Sequence, residues 1–257
     1  MTFTYTLTCT LDTTTALPPV AGSEEQRAYW VTPTILAWPL SLLPRGMDRE
    51  VVVTDAGDPL PGSGLALRLI TAPDGGAAAI HGQILGADGM PAPTVTPLRI
   101  VGNLPGEVLA AHPHLEGCIA LSATDAAGTP LLDDAAVTSA LTGQVTIAQY
   151  VGIPDPTEDA DVSGAHLDAF TGVQTAILLD HLYAEAATRA ELGVTFSDGL
   201  PSFALWAPTA QAVTLLTWET GDRLGSVPEV PGPPRRTPAV RKGDGRWVVA
   251  NRPDSPA

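Results

Sequence analysis

The chain has 257 residues, with 13 Lys+Arg against 28 Asp+Glu and a formal net charge of −15. This balance argues against nucleic acid as a partner, because a phosphate backbone is neutralised by Lys and Arg, and Lys242 is the only lysine. A content of 44% hydrophobic and 16% charged residues is that of a folded protein, not of a disordered acidic tail. The 25 Gly and 25 Pro disfavour helical bundles and favour short strands joined by tight turns.

The opening segment alternates strictly between threonine and apolar residues. Phe3, Tyr5, Leu7 and Cys9 stand between threonines, and this period of two predicts a strand with one apolar face. Neither a signal peptide, which needs a basic first region, nor an apolar run of about 18 residues that could span a membrane is found. We therefore expect a cytoplasmic protein that has no membrane contact.

Further short strands are predicted up to Tyr150, separated by turn sequences such as Asp74-Gly75-Gly76. They cover residues 27–39, 50–54, 65–71, 78–85, 118–123 and 144–150. Two helices are predicted at 133–141 and 175–192, the first beginning at Asp133 and Asp134 and the second ending at Gly193. The acidic stretch between Tyr150 and Phe170 is predicted to be an exposed loop.

A second β unit begins near Gly193. Its predicted strands cover residues 194–196, 202–207, 212–218 and 245–250, with a Pro-rich loop before the last. A sandwich of seven strands has about 100 residues, and only 65 remain from Gly193 to Ala257. The predicted fold class is therefore mainly β, with two consecutive immunoglobulin-like β-sandwich units, the second truncated, and short helices in the connections.

The sequence contains no strong metal or catalytic motif. His112 and His114 have no third ligand nearby, and zinc needs three or four. The acidic run at 158–161 lacks the glycine and the terminal Glu of a calcium loop. Cys9 and Cys118 have no recognisable catalytic partners, and a bridge between them stays an open alternative. We therefore assign no catalytic residue, no metal and no cofactor.

The five tryptophans are the most informative side chains. Trp30, Trp38 and Trp206 have apolar neighbours and are predicted to fill sandwich cores. Trp218 ends a predicted strand before an acidic turn that begins at Glu219. At such a rim, an exposed indole offers a flat platform for a sugar, so Trp218 is the one candidate substrate-binding residue. The alternative, that Trp218 covers the sandwich, stays open.

Several segments, in chain order, resemble pullulanase-type α-1,6-glucosidases and limit dextrinases. RAYWV (27–31) with ILAWP (35–39), and LTGQVTIAQY (141–150), are similar to their N-terminal pullulanase domain. Residues 171–203 resemble the linker and entry strand of these enzymes. FALWAPTAQAVTLLTW (203–218) resembles the opening of carbohydrate-binding module family 48, whose strand-turn signature is matched by Trp206 to Ala210 and whose tryptophan strand is matched by Trp247.

The resemblance implies a domain organisation and a function. Residues 1–24 would be an N-terminal strand and loop, 25–190 a pullulanase-type β-sandwich, and 191–257 a partial carbohydrate-binding module. The full enzyme would hydrolyse α-1,6 bonds of starch, glycogen or pullulan on a (β/α)8 barrel of glycoside hydrolase family 13, with two carboxylates.

No segment here resembles the catalytic motifs of that barrel. We therefore expect a non-catalytic N-terminal part, inactive by itself, with α-glucan and the missing barrel as partners. The alternative is a stand-alone β-sandwich protein that binds α-glucan or a protein.

Overall fold

The computed structural model describes residues 21–22, 25–47, 52, 64–72, 93–152, 162, 165–217 and 233–250. Strands dominate these residues and only short helices connect them, which confirms the predicted mainly β fold class. The strands form one large sheet in the first unit and two smaller sheets in the second.

The first unit is a seven-stranded sandwich whose edges are joined, so that it forms a closed barrel. Neighbouring strands follow the order β1-β2-β5-β4-β3-β6-β7, and β7 pairs in parallel with β1. The strands are β1 (Gln26–Thr32), β2 (Ile35–Pro39), β3 (Leu65–Ala72), β4 (Thr94–Asn103), β5 (Cys118–Ser122), β6 (Gln144–Val151) and β7 (His166–Gln174). Closure leaves this sheet without an edge.

Two residues of β7 make the parallel closure with β1. The Thr171 hydroxyl donates to the Glu25 carbonyl at 2.9 Å and accepts from the Arg27 backbone N–H at 3.1 Å. At Gly172, an added Cβ would lie 2.8 Å from Gln26 Cγ. A glycine therefore lets the last strand approach the first.

The barrel interior is mainly apolar and contains the fully buried amide of Gln149. Trp30 and Trp38 are fully buried there, as predicted. The Trp38 indole N–H donates to Gln149 Oε1 at 3.0 Å. Gln149 Nε2 donates to the Leu42 carbonyl and to Asp168 Oδ2, both at 2.8 Å. The amide is thus satisfied on both sides, as a buried polar group must be.

In the described part of the chain, the α-helices with defined bounds are α1 (Gly106–Ala111), α2 (Asp134–Ala140) and α3 (Ala176–Arg189). The predicted helix start at Asp133 is confirmed, because its carboxylate accepts from the Ala136 backbone N–H at 2.7 Å. α3 is shorter than predicted. It ends at Arg189, and Gly193, with φ of 91°, begins the next strand instead of capping the helix.

The structure differs from the sequence prediction in several other places. β4 and α1 were not predicted, and β7 occupies part of the predicted acidic loop. Of the predicted strand at 50–54 only Val52 is described, and it is helical and buried. The predicted strands at the N-terminus and at 78–85 lie outside the described residues.

The second unit contains a four-stranded sheet in the order β12-β13-β9-β8 and a two-stranded sheet of β10 and β11. Its strands are β8 (Gly193–Ser197), β9 (Leu200–Trp206), β10 (Thr214–Thr217), β11 (Arg235–Pro238), β12 (Val240–Arg241) and β13 (Arg246–Val249). β11 lies within the predicted Pro-rich stretch at 227–238, and β12 follows it. Pro238 is tolerated because β11 is an edge strand in the described sheet.

The β8–β9 hairpin turns at Asp198 and Gly199, as their sequence predicts. Both have positive φ, 52° and 78°, and two consecutive residues of this kind favour the tight hairpin turn typical of Asp-Gly.

Candidate functional site

The predicted sugar platform at Trp218 lies outside the described residues. The structure describes β10 as far as Thr217, so the platform stays a prediction. The candidate site that the structure does describe is the surface of the second unit formed by β8, β9, β10 and β13.

The turn after β9 is held by side-chain hydrogen bonds and close packing. The Trp247 indole N–H donates to the Ala207 carbonyl at 2.9 Å, and Arg241 donates to the Pro208 carbonyl at 2.7 Å. Gly245 has φ of 81°, and a Cβ there would lie 3.0 Å from Pro208 Cβ and 3.1 Å from Trp206 Nε1. These contacts agree with a structural role for residues 206–210. Trp206 itself is only partly buried.

An open apolar cavity of about 240 Å³ lies between the two sheets of the second unit. The pairs Val194–Phe203 and Leu205–Trp247 are directly opposite in the ladder, so their side chains share one face. Val213 and Leu215 line the cavity from the other sheet. The cavity lining is therefore almost entirely apolar, which suits an apolar surface of a partner better than a charged ligand.

Apolar side chains continue from this cavity to the surface. Phe196 is 72% exposed, Leu205 54% and Val194 52%. Scattered exposed apolar residues are normal, whereas a contiguous group marks an interaction surface. Sequence reasoning named none of these three as functional. The sequence shows only that Val194 and Phe196 alternate in an uncharged segment, as they would in a buried strand.

The remaining candidates from the sequence do not form a reactive site. The rings of His112 and His114 lie 5.9 Å apart, and His114 packs on Tyr29 at 5.3 Å. Within the described ranges, no group of three or more potential ligands comes together around a metal position. The acidic run at 158–161 lies outside them.

Cys118 carries a free thiol. Burial raises its pKa to about 11, so at neutral pH it is an inert thiol and not a nucleophile. Cys9 is outside the described residues. No helix among those described is long and apolar enough to cross a membrane, since α3, the longest, has 14 residues.

Comparison with known proteins identifies the first unit. The model of the Pullulanase N2 domain matches residues 25–181, which is more than half of the chain and includes the whole barrel. The chain belongs to the Pullulanase N2 domain family. The resemblance to the N-terminal pullulanase domain, predicted from the sequence segments, is thereby confirmed.

Sequence and structure comparisons with individual pullulanases match different shares of this Pullulanase N2 chain. The pullulanase of Klebsiella pneumoniae is 44% identical over 59 residues, which are 23% of this chain and 5% of that protein. The apo structure of pullulanase from the same organism has a TM-score of 0.56 at 24% identity, covering 90% of this chain and 19% of that one. The structure of the Klebsiella pneumoniae enzyme complexed with maltotriose has a TM-score of 0.53 at 24% identity, with 90% and 16% covered.

These structural matches show a shared fold. They also show that the chain spans less than a fifth of the length of the relatives it matches.

Proposed function

We propose that this chain is the non-catalytic N-terminal part of a pullulanase-type α-1,6-glucosidase, in which it serves domain packing and α-glucan binding. The observation that carries the proposal is the match of the Pullulanase N2 domain to residues 25–181. Hydrolysis of α-1,6 bonds would fall to a catalytic barrel with two carboxylates about 5–5.5 Å apart, as in retaining glycosidases. The cytoplasmic location is part of the same proposal and is tested by cell fractionation.

The open cavity of the second unit supports the packing role. Its rim exposes Leu205 and Val194, and its floor includes Trp247. Burying apolar surface contributes about 25 cal/mol per Å². A catalytic barrel that covers this rim would therefore be bound more tightly. The proposed partner is therefore the catalytic barrel, through an apolar contact.

The glucan-binding role rests on Trp218 and on the maltotriose held by a related pullulanase. Stacking of an indole on a sugar contributes on the order of 1 kcal/mol beyond area burial, by analogy with aromatic pairs. A single platform therefore binds weakly, with a dissociation constant in the millimolar range, which corresponds to about −4 kcal/mol. Starch, glycogen and pullulan are the polymers that present such α-linked glucose.

Titration with maltotriose tests the platform. We expect a saturable change of tryptophan fluorescence in the wild type and in Thr217→Ala, the matched control, and none in Trp218→Ala. Cellobiose, a β-linked disaccharide, serves as the ligand control. If the wild type shows no saturable change, or Trp218→Ala binds equally well, Trp218 is structural and the platform is wrong.

Two further measurements separate the proposed function from its alternative. The purified chain is expected to release no reducing sugar from pullulan, and sustained release above a no-protein control contradicts the non-catalytic role. Sequencing the gene downstream of codon 257 tests the packing role. An in-frame sequence that encodes a catalytic barrel supports the packing role. Its absence favours a stand-alone protein that binds α-glucan or another protein.

A further inference from the structure

The outer edge of β8 is exposed in the described structure, and the strand lacks the charged residues and prolines that usually prevent an edge strand from pairing. β8 is the last strand of its sheet, and no strand in the described part of the chain pairs with its outer side. All five of its residues are exposed. The segment contains no charged residue and no proline. An exposed edge of this kind is a template for pairing with another strand.

The opposite edge of the same sheet is guarded. β12 has only two residues, Val240 and Arg241, and it lies between Pro238 and Lys242. Short length, proline and positive charge are the features by which proteins protect a sheet edge. Of the two edges of this four-stranded sheet, the β8 edge is therefore the one available for association.

The charge distribution identifies the part of the chain through which two copies can approach each other. Residues 1–192 contain six basic and 22 acidic residues, whereas residues 193–257 contain seven basic and six acidic ones. Two first units therefore repel each other, while two second units are nearly neutral towards each other. The exposed edge lies in this nearly neutral unit.

We propose that two copies of the chain associate through antiparallel pairing of their β8 strands, with Thr195 on the two-fold axis. In this register Val194 lies directly opposite Phe196 of the second copy, and Phe196 lies opposite its Val194. Opposite residues of an antiparallel pair share one face. The two pairs therefore bury the side chains that are 52% and 72% exposed in the single copy.

This contact is self-complementary, as a two-fold interface must be. A pairing centred on one residue forms a regular ladder whether that residue makes a hydrogen-bonded or a non-hydrogen-bonded pair. The inference goes beyond the proposed function, because it concerns the edge of the sheet and not its cavity face, although Val194, at the cavity rim, takes part in both contacts. Five residues a side bury less than the roughly 1,200 Å² of a stable interface, so the association is weak and reversible.

Analytical ultracentrifugation of the 257-residue chain tests the proposal. We expect monomer at about 10 μM and a growing dimer fraction towards about 1 mM, the range of a small interface. Salt is expected to increase the dimer fraction, because it screens the repulsion between two chains of net charge −15. A chain that stays monomeric at every concentration and salt concentration overturns the proposal.

Charge variants then test the register. Phe196→Lys and Val194→Glu, made singly, are each expected to weaken association at least about tenfold, since each places a charge opposite an apolar side chain. The double variant Val194→Glu/Phe196→Lys is expected to restore association at low salt, because each new carboxylate then faces a new ammonium of the other copy. Circular dichroism checks that all variants stay folded.

Val240→Lys, at the guarded edge, is the matched control and is expected to leave association unchanged. Equal weakening by Val240→Lys and Phe196→Lys contradicts the use of the β8 edge. A dimer that the single variants weaken and the double variant fails to restore contradicts the register centred on Thr195.

Discussion

The two units of this chain differ in how deeply their apolar side chains are buried. Among the residues that the structure describes, nearly every buried large apolar side chain belongs to the barrel and its helices, and Trp247 is the buried tryptophan of the second unit. Most large exposed apolar residues instead lie at or after Leu192, including Val194, Phe196 and Leu205. The barrel closes its sheet and fills its interior. The second unit has two separate sheets, with free edges and an open cavity between them.

The difference shows what each unit contributes. A closed sheet with a mainly apolar interior supplies stability by itself, since every strand has two neighbours. The second unit, with its open face and edge, is suited to contacts with other surfaces. The four predictions below test this contrast.

Removing a large side chain from the barrel core should have the largest effect. Trp38→Ala deletes a fully buried indole and its hydrogen bond to Gln149, so we expect the free energy of unfolding to fall by about 3–5 kcal/mol. The matched change Phe196→Ala, at a side chain 72% exposed, is expected to change it by less than about 0.5 kcal/mol at low protein concentration. Urea denaturation measures both, and equal losses would remove the contrast between the units.

The thiol of Cys118 reports on how well a second apolar cluster, which includes Leu115 and Ala120 and against which it packs, excludes water. Because burial raises its pKa to about 11 from an ordinary value of 9.0, we expect the thiolate fraction at pH 8 to be about 100-fold lower in the folded chain than in the unfolded chain. In a Cys9→Ser background, reaction with a disulfide reagent should slow by that factor and quicken as pH rises towards 11. Equal rates in native and denatured protein contradict this prediction.

Gly245 tests a tightly packed turn of the second unit. Gly245→Ala places a Cβ at a left-handed backbone position and 3.0 Å from Pro208 Cβ, which should cost about 1–2 kcal/mol. Gly243→Ala is the matched control, since a Cβ there meets nothing within 4 Å. Hydrogen exchange should quicken in β9 and β13 and stay unchanged in the barrel. A loss of protection spread over both units would mean that they unfold as one.

The smallest expected effect is at the start of α2. Asp133→Ala removes the carboxylate that accepts from the Ala136 backbone N–H, and loss of such a cap costs about 1 kcal/mol. Asp134→Ala removes the same charge without a cap bond and is expected to cost about 0.3 kcal/mol. Thermal unfolding compares the two variants. A larger effect for Asp134→Ala would show that charge, and not the cap, starts this helix.

Local patterns in the sequence predicted most of the elements that depend on neighbouring residues. The β3, β5, β6 and β9 strands lie close to the predicted ranges, and Asp133 and the Asp198-Gly199 turn have the predicted roles. β4, β7 and β11 were missed because proline and polar residues interrupt their apolar patterns. Their strand conformation is stabilised by pairing with distant strands, which no local pattern records.

The candidate site was less predictable than the fold. Trp218 was chosen for its place at a strand end, and it remains a prediction. The exposed edge of β8 could not be recognised from the sequence, because Val194 and Phe196 alternate as they would in a buried strand. Whether a strand is central or at an edge depends on its neighbours, and these are set by tertiary structure.

The sequence by itself determined the mainly β class, the Asp198-Gly199 turn, the helix start at Asp133 and the resemblance to the pullulanase N-terminal domain. Tertiary structure alone decided that β7 returns to pair in parallel with β1 and closes the barrel, with Gly172 allowing the close approach. It also decided that Gln149 is the polar hub of an apolar interior. Both depend on contacts between residues more than 100 positions apart, whose free energy appears only when the whole barrel has formed.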